Sequence, residues 1–327
     1  MVIKRSLKKS KKFQKKSKFG TGIEMIGTPV SLTDHRIESH PNNYTSILFQ
    51  VKPNVNNWDF VLTNVDAFRN LKIIDCSNSA IRYIDNLPNT IEHLISNGCR
   101  YLESIELSNE LETLQCSNCP NLQQISTISN KASNKLEILS CADCVELTTL
   151  PSILPFLEKL VCSNSILSEL PLLPKLEYLD CSYCPYIEKL IPDNRGLVNG
   201  SSLSFLKYLD CRECSELKYL PEKLSHLKLL ICLLTSITKI SHTYISLEKL
   251  DCSFCDAIPK LPYFSNLKKI NVSFCSKSLK ESPQPKTCKV IDFEKDLLKF
   301  DHSIVNDGSI DEDAFIEKYD ELIQYSF

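Results

Sequence analysis

The nine residues LEYLDCSYC, at 176–184, recur through the middle of the chain with leucine and cysteine at fixed spacing. Close copies are LETLQCSNC (111–119), LEILSCADC (136–144), LKYLDCREC (206–214) and LEKLDCSFC (247–255). Aligning the chain on the pattern Lxx(L/I) gives ten units in register, most of them about 20 residues apart. The units begin at Leu71, Ile91, Leu111, Leu136, Leu157, Leu176, Leu206, Leu227, Leu247 and Leu267.

The working consensus of one unit is LxxLxCxxCxxLxxLPxxLxx, which places apolar residues at positions 1, 4 and 6. The step of two between positions 4 and 6 indicates a strand around positions 3–7. One unit cannot bury its apolar edge alone, so the units are expected to stack with their strands side by side in a parallel sheet. At about 4.8 Å per strand, ten strands span about 45 Å. Prolines in the second half of the unit favour extended backbone and leave little room for a helix. These prolines are Pro88, Pro151, Pro171, Pro221 and Pro262.

This repeat resembles the leucine-rich repeat, whose core is LxxLxLxxN/C, over residues 71–287, about two-thirds of the chain. The short period and the steps LTTLP (147–151) and LKYLP (217–221) look most like the compact repeats of secreted bacterial effectors. The LDCSxC variant is similar to cysteine-rich repeat proteins encoded by giant DNA viruses. The resemblance implies a mostly β leucine-rich-repeat solenoid of the α/β horseshoe superfamily. Its parallel sheet forms the concave face, and its convex side is extended or 3₁₀ with few helices.

Fifteen of the sixteen cysteines occupy two columns of the repeat, and Cys288 is left over. Position 6 holds Cys76, Cys116, Cys141, Cys162, Cys181, Cys211, Cys232 and Cys252, and position 9 holds Cys99, Cys119, Cys144, Cys184, Cys214, Cys255 and Cys275. Ser96 and Val272 replace cysteine at position 6, and Ser79, Ser165 and Thr235 replace it at position 9. A zinc ligand does not tolerate such exchanges, whereas a small buried residue does. The columns therefore predict buried free thiols, with no metal and no cofactor.

Two other interpretations of the cysteines stay open at the level of sequence. Adjacent CxxC pairs, 116/119 with 141/144 or 181/184 with 211/214, have gaps a little long for the usual four-cysteine zinc ribbon. Structural disulfides are the second interpretation. A catalytic redox CxxC is disfavoured, because no βαβ pattern surrounds any of the pairs.

Side chains at positions 3, 5, 7 and 8 are expected to point out of the concave face. The predicted partner-binding residues are Tyr178, Asp180, Tyr183, Tyr208, Asp210, Arg212, Asp251 and Phe254. Tyrosine and arginine dominate protein-binding hot spots, and a curved open sheet presents a large rigid surface. Asp180 and Asp210 are predicted to stand one strand apart as like charges, which Arg212, Lys207 or a cation of the partner can offset. The competing interpretation is a solvated face with no partner.

The sequence divides into four parts. Residues 1–23 form a basic tail, predicted to be disordered, with nine Lys/Arg between positions 4 and 18. An N-terminal cap at 24–70 precedes the ten repeats at 71–287, and 288–327 form a C-terminal cap followed by an acidic tail. Apolar residues within 311–325 have helical spacing, which suits docking on the solenoid or presentation to a partner. The insertion at 190–205 is either a neutral loop or part of a binding face.

No motif of catalysis accompanies the repeat. Glycine is scarce, with only seven, and the chain has no phosphate loop, HExxH, GxSxG or kinase signature. Six scattered histidines have no evident nucleophile or acid partner. The sequence therefore predicts a non-enzymatic scaffold that binds a protein through its concave face; an enzyme with an unrecognised site is the least favoured interpretation.

The basic tail supports an alternative function. It suits a nuclear-localisation signal, a nucleic-acid tether or an anionic membrane surface, as well as a purely solubilising role. A nucleic-acid-associated or nuclear-targeted protein is therefore the alternative to the scaffold. No run of about eighteen apolar residues occurs, and no apolar segment of a secretory signal follows the basic residues. We accordingly expect an intracellular monomer, cytoplasmic or nuclear, with reduced cysteines.

Overall fold

The computed structural model describes residues 22–27, 46–51, 70–85, 87–127, 134–191 and 203–293. The basic tail lies outside these residues except for its last two positions, as do most of the proposed N-terminal cap and the segment 311–325. The insertion at 190–205 is described only at its two ends.

One parallel sheet of thirteen strands runs through the described residues. Its strands, numbered in chain order, are β1 (Gly22–Gly27), β2 (Ser46–Val51), β3 (Ile73–Asp75), β5 (His93–Ile95), β7 (Thr113–Gln115), β9 (Ile138–Ser140), β10 (Lys159–Val161), β11 (Tyr178–Asp180), β12 (Tyr208–Asp210), β13 (Leu229–Ile231), β14 (Lys249–Asp251), β15 (Lys269–Asn271) and β16 (Lys289–Ile291). They pair in this order, each hydrogen-bonded to the next. Each of the ten predicted units contributes one strand at its positions 3–5, so the predicted solenoid is confirmed.

The register of the sheet keeps the same repeat position side by side in neighbouring units. Tyr178 pairs with Tyr208, although 30 residues separate them, and Lys249 pairs with Lys269. Extra residues between two units are therefore accommodated in the return segments. A side chain at a given position consequently forms a column along the sheet.

A second, smaller parallel sheet lies on the return side of the first units. It consists of β4 (Tyr83–Ile84), β6 (Ser104–Leu107) and β8 (Gln124–Thr127), paired in that order. Burial alternates along β6, with Ile105 and Leu107 inside, because side chains of a strand point alternately to its two faces. The other described return segments are extended or form turns, and none of them is 3₁₀. The prediction of few helices is confirmed, since α1 (Lys277–Lys280) is the one helix that the described residues contain.

The core is a set of columns stacked along the solenoid. All residues at positions 1 and 4 of the ten units are buried, and so are those at positions 6 and 9. Apolar residues of the return segments, such as Leu147, Leu170 and Leu217, close the core from the opposite side. β2 pairs with β3 at one end of the repeats, and β16 pairs with β15 at the other.

Candidate functional site

The cysteine columns act as hydrogen-bond donors to the backbone. Every cysteine at position 9 directs its Sγ to the carbonyl oxygen of position 6 in the preceding unit, at 3.0–3.2 Å. Ser165 and Thr235 occupy the same column and donate to the position 6 carbonyl of their own unit. A small buried residue with a weak donor thus suits this column, which explains why cysteine, serine and threonine exchange there.

Position 6 forms a second column of donors. Cys76, Cys232 and Cys252 direct their sulfur atoms to the position 5 carbonyl of the next strand, at 3.4–3.5 Å. Ser96 donates to Gln115 in the same way. All sixteen cysteines are free thiols, and burial raises the pKa of thiols such as Cys141. The sulfur columns are therefore structural, because the position 9 thiols and most of the position 6 thiols donate to backbone oxygens inside the core.

The proposed four-cysteine zinc cages do not form. Among the described residues, which include every cysteine, no three thiols bring their sulfur atoms within 4.8 Å of one another. The one such group of potential ligands consists of Glu92, His93 and Glu112. Glu92 in this group already forms an ion pair with Lys72.

The aspartates at position 5 cap the turn that follows each strand. Asp180 Oδ1 accepts hydrogen bonds from Ser182 N at 3.1 Å and Ser182 Oγ at 2.7 Å. Asp251 accepts the same pair of bonds from Ser253 and a third from Asn271 Nδ2. The local signal is Asp-x-Ser, an Asx turn in which a short acidic side chain bonds its own backbone two residues on.

Position 8 adopts left-handed backbone in all ten units, with φ between 54° and 70°. The first five units place residues there that tolerate this conformation: Asn78, Gly98, Asn118, Asp143 and Asn164. The last five place large side chains there instead: Tyr183, Glu213, Leu234, Phe254 and Phe274. A left-handed conformation costs an ordinary residue about 1–2 kcal/mol. The second half of the solenoid therefore presents aromatic and apolar side chains at this turn at the expense of backbone strain.

Two tyrosines stack at the centre of the outward sheet face. The rings of Tyr178 and Tyr208 lie 4.2 Å apart with an interplanar angle of 3°. Lys159 places its Nζ 4.8 Å from the centroid of the Tyr178 ring, so a cation covers the other side of the stack. Burial and the neighbouring Asp210 raise the pKa of Tyr208, so both tyrosines carry neutral hydroxyls at physiological pH.

Arg212 forms a fork with Asp210 beside this stack. Arg212 Nε lies 3.0 Å from both carboxylate oxygens of Asp210, and Arg212 Nη2 lies 2.6 Å from Oδ2. Burial raises the pKa of Asp210, and the bonds from Arg212 oppose that shift. Arg212 thus compensates the like charges of Asp180 and Asp210, which face each other across β11 and β12.

The structure brings most of the predicted residues together and removes two of them from the surface. Tyr178, Asp180, Tyr208 and Arg212 are half-buried on β11, β12 and their turns, and Tyr183 is 40% exposed at the rim. Asp210 and Asp251 are only 3% and 0% exposed, respectively. Their carboxylates are bonded inside the molecule by Arg212, Ser253 and Asn271, and their role in contacting a partner stays a prediction. Phe254 is half-buried and stacks on Phe274 at 4.5 Å, two strands away from the Tyr208 unit.

Sequence reasoning missed an apolar cluster on the same face. Ile231 and Leu233, of the β13 unit, are buried and pack with Tyr208, Leu229, Phe254 and Phe293. The signal was present in ICLL (231–234), where the outward positions 5, 7 and 8 hold Ile231, Leu233 and Leu234. The left-handed column was also recognisable, since Asn, Gly and Asp fill position 8 in the first five units.

No family model matches the sequence, and no curated protein matches it. Solved structures do show similarity. The leucine-rich effector YopM from Yersinia pestis is 21% identical, with a TM-score of 0.40 over 77% of this chain and 78% of that one. The leucine-rich repeat domain of APL1B is 16% identical, with a TM-score of 0.45 over 80% and 78%. The functional domain of InlJ from Listeria monocytogenes, which includes a cysteine ladder, is 16% identical, with a TM-score of 0.30 over 75% and 67%.

The fold follows from the repeat and from the sheet. Within the described part of the chain, no helix is long and apolar enough to cross a bilayer. Ten units in register, one parallel strand per unit and stacked cysteine columns make the described part of the chain a cysteine-rich parallel β-solenoid.

Proposed function

We propose that the protein is a non-enzymatic scaffold that binds a partner protein through the outward face of β10–β12. The observation that carries the proposal is the stack of Tyr178 on Tyr208, with Lys159 on one side and Arg212 beside it. These side chains combine large flat surfaces with directed donors, the combination that dominates protein-binding hot spots. The stack and the Arg212 fork hold them in place before binding, which lowers the entropy lost on association.

The surroundings of the stack support the same function. Tyr183 and Glu213 line a depression of about 310 Å³ at the rim of the face, together with Val145, Asn164 and Pro185. Tyr183 has a left-handed backbone, a strained conformation that proteins retain mainly where function or surrounding structure requires it. The partner surface therefore extends from the stack over the turn of β11 into this depression.

The charges near the stack indicate the character of the partner. Glu137, Glu158 and Glu177 stand side by side at position 2 of consecutive units. Glu177 pairs with Lys207, and Glu158 and Glu137 continue the acidic column away from it. Basic side chains on the partner are expected to face this column, which favours fast and salt-sensitive association.

Affinity capture from cells that naturally make the protein tests the proposal. The test variant combines Tyr178→Ser with Tyr183→Asn, because asparagine already fills the same left-handed position in units one, three and five. The matched control is Tyr219→Ser, which removes a tyrosine that is 66% exposed in a return segment. We expect the control to retain the captured partner and the test variant to lose it.

Two results would overturn the proposal. One is capture of the same proteins by the test variant as by the wild type. The other is loss of capture only when residues 1–18 are deleted, which would transfer the function to the basic tail. Arg212 is unsuitable as a test, since its removal leaves the carboxylate of Asp210 buried without its cation.

A further inference from the structure

Backbone hydrogen bonds join the return segments of neighbouring units at the residue that follows a buried leucine or isoleucine. Gln123 N donates to Glu103 O at 2.9 Å, and Thr148 N donates to Gln123 O at 2.9 Å. Thr238 N donates to Lys218 O at the same place in a later pair of units, at 3.2 Å. This series of bonds, the return ladder, therefore joins units two to four and reappears between units seven and eight.

The return ladder is interrupted in the units between these two stretches. Ser168 and Glu188 follow the buried Leu167 and Ile187, so they occupy the ladder position of units five and six. Among the described residues, neither of their amide groups donates to the neighbouring return segment. The carbonyl groups of Thr148 and Ser168 likewise accept no backbone bond from the described chain. Backbone donors and acceptors that the ladder uses elsewhere are therefore open to a ligand here.

A depression of about 470 Å³ lies where the ladder is interrupted. Its volume is within the range of small-molecule sites, about 300–1,000 Å³. It is lined by the ladder residues Thr148, Ser168 and Glu188 and by the residue after each of them, Thr149, Glu169 and Lys189. The gap in the ladder and the depression are thus one feature, a recess on the return side of units four to six.

The polar side chains of the recess are rich in hydroxyls and carboxylates. Thr149, Ser152 and Ser168 supply hydroxyl groups, which both donate and accept hydrogen bonds. Glu169 and Glu188 supply carboxylates, which accept such bonds when ionised. The recess therefore matches a ligand with many small groups that are donors and acceptors at once.

An aromatic ring and aliphatic side chains give the recess an apolar part. Tyr186 lines it and is 58% exposed, so its ring offers a flat surface to a ligand. Leu150 and Ile191 also line it and are half-buried. A ligand that carries C–H groups on one side and hydroxyls around its edge would use both parts.

Two other classes of ligand fit the recess less well. An extended peptide that paired along the edge would need the return segments of units four and five to stay apart. Leu172 N instead donates to Ser152 O, and Leu154 N donates to Leu172 O, both at 3.0 Å, so the two segments close on each other at one end. A phosphate or carboxylate ligand would face Glu169 and Glu188, whose like charge opposes its binding.

We propose that the recess of units four to six binds a neutral saccharide. Sugar hydroxyls accept from the amide groups of Ser168 and Glu188 and donate to the carboxylate of Glu169. The C–H face of the sugar ring packs on the exposed ring of Tyr186. This site is independent of the proposed function, because it lies on the return side and shares no residue with the tyrosine stack or with the depression at Tyr183.

Saturation-transfer NMR on the full chain tests the site with glucose, galactose, mannose, N-acetylglucosamine, maltose, cellobiose and lactose. We expect at least one of these sugars to receive saturation, and titration then gives its Kd. Tyr186→Ser should raise that Kd about five- to tenfold, because it removes the ring contact. Glu169→Gln, which keeps the size of the side chain but not its charge, should raise it several-fold. Tyr219→Ser, an exposed residue outside the recess, is the matched control and should leave it unchanged.

Three outcomes would overturn the proposal. Absence of saturation transfer to every sugar of the panel would show that the recess is no saccharide site. An equal Kd for the wild type, Tyr186→Ser and Glu169→Gln would place sugar binding elsewhere on the chain. Loss of captured proteins in Tyr186→Ser, without sugar binding by the wild type, would assign the recess to a protein interface. The variant Tyr178→Ser with Tyr183→Asn should bind the sugars like the wild type, so the two proposals fail separately.

Discussion

Truncation of one leucine in the middle of the solenoid tests the repeat frame quantitatively. Leu179, at position 4 of β11, is fully buried and stands in register between Leu160 and Leu209. Leu179→Ala removes the apolar contacts of the side chain and leaves a cavity. Buried leucine truncations cost about 2–5 kcal/mol in the free energy of unfolding, less where the surroundings collapse into the space. Here the hydrogen-bonded strands on both sides fix the spacing, so we expect a loss in the upper half of that range.

Two matched variants separate burial from repeat position. Val290→Ala changes position 4 of β16, the terminal strand, where the side chain is 55% exposed. It should cost less than about 1 kcal/mol, because little apolar surface is buried there. Glu177→Ala, beside Leu179 in sequence, removes an exposed ion pair with Lys207 and should also cost less than about 1 kcal/mol.

Urea unfolding followed by circular dichroism measures all three variants against the wild type. The midpoints of the urea unfolding curves can be compared only if the variants unfold with similar m values, because a solenoid can unfold in parts. Equal losses for Leu179→Ala and Glu177→Ala would refute the repeat frame. A large loss for Val290→Ala would show that the end of the array is covered more fully than its exposure indicates.

Three further predictions follow from the columns of the repeat. Asn118→Ala should lower the free energy of unfolding by about 1 kcal/mol, because alanine is strained in left-handed backbone. Asn118→Gly and the exposed control Gln123→Ala should change it by less than about 0.5 kcal/mol. Urea titration measures all three variants. Burial raises the pKa of Asp251, so its ionised form destabilises the native state at neutral pH; the stability of Asp251→Asn relative to wild type should be greatest near pH 7 and should decline as the pH falls toward about 4. A pH-independent difference would contradict that cause. Native protein should expose one readily reactive thiol, Cys288, and denatured reduced protein all sixteen, without stoichiometric zinc in elemental analysis; a bound zinc ion would contradict the assignment of the thiols to the core.

The repeat was predictable from sequence because its core positions are repeated ten times. Comparing ten units shows which positions are apolar in every unit. Replacements of cysteine, such as Ser96 and Thr235, show that the cysteine columns need small buried residues. Strand position and register followed directly, since the strands occupy positions 3–5 throughout. The small sheet of β4, β6 and β8 was less accessible, because it depends on how neighbouring return segments happen to pair.

The state of the outward face was predictable only in part. A period of two assigns Asp210 and Asp251 to the outward side but does not report what lies above them. Their burial depends on contacts between residues that are distant in sequence, such as Asp251 with Asn271. Tyr178 and Tyr208 could be placed side by side from the repeat alone, whereas the cation over the ring required the position of the Lys159 side chain.

The affinity of the captured partner for the face tests the central proposal most directly. Isothermal titration should compare the wild type, the variant Tyr178→Ser with Tyr183→Asn, and the control Tyr219→Ser. If the stack is a hot spot, the double variant should lose at least about 2 kcal/mol, roughly 30-fold in Kd, while the control binds like the wild type. An unchanged Kd for a folded double variant would contradict the assignment of partner binding to this face.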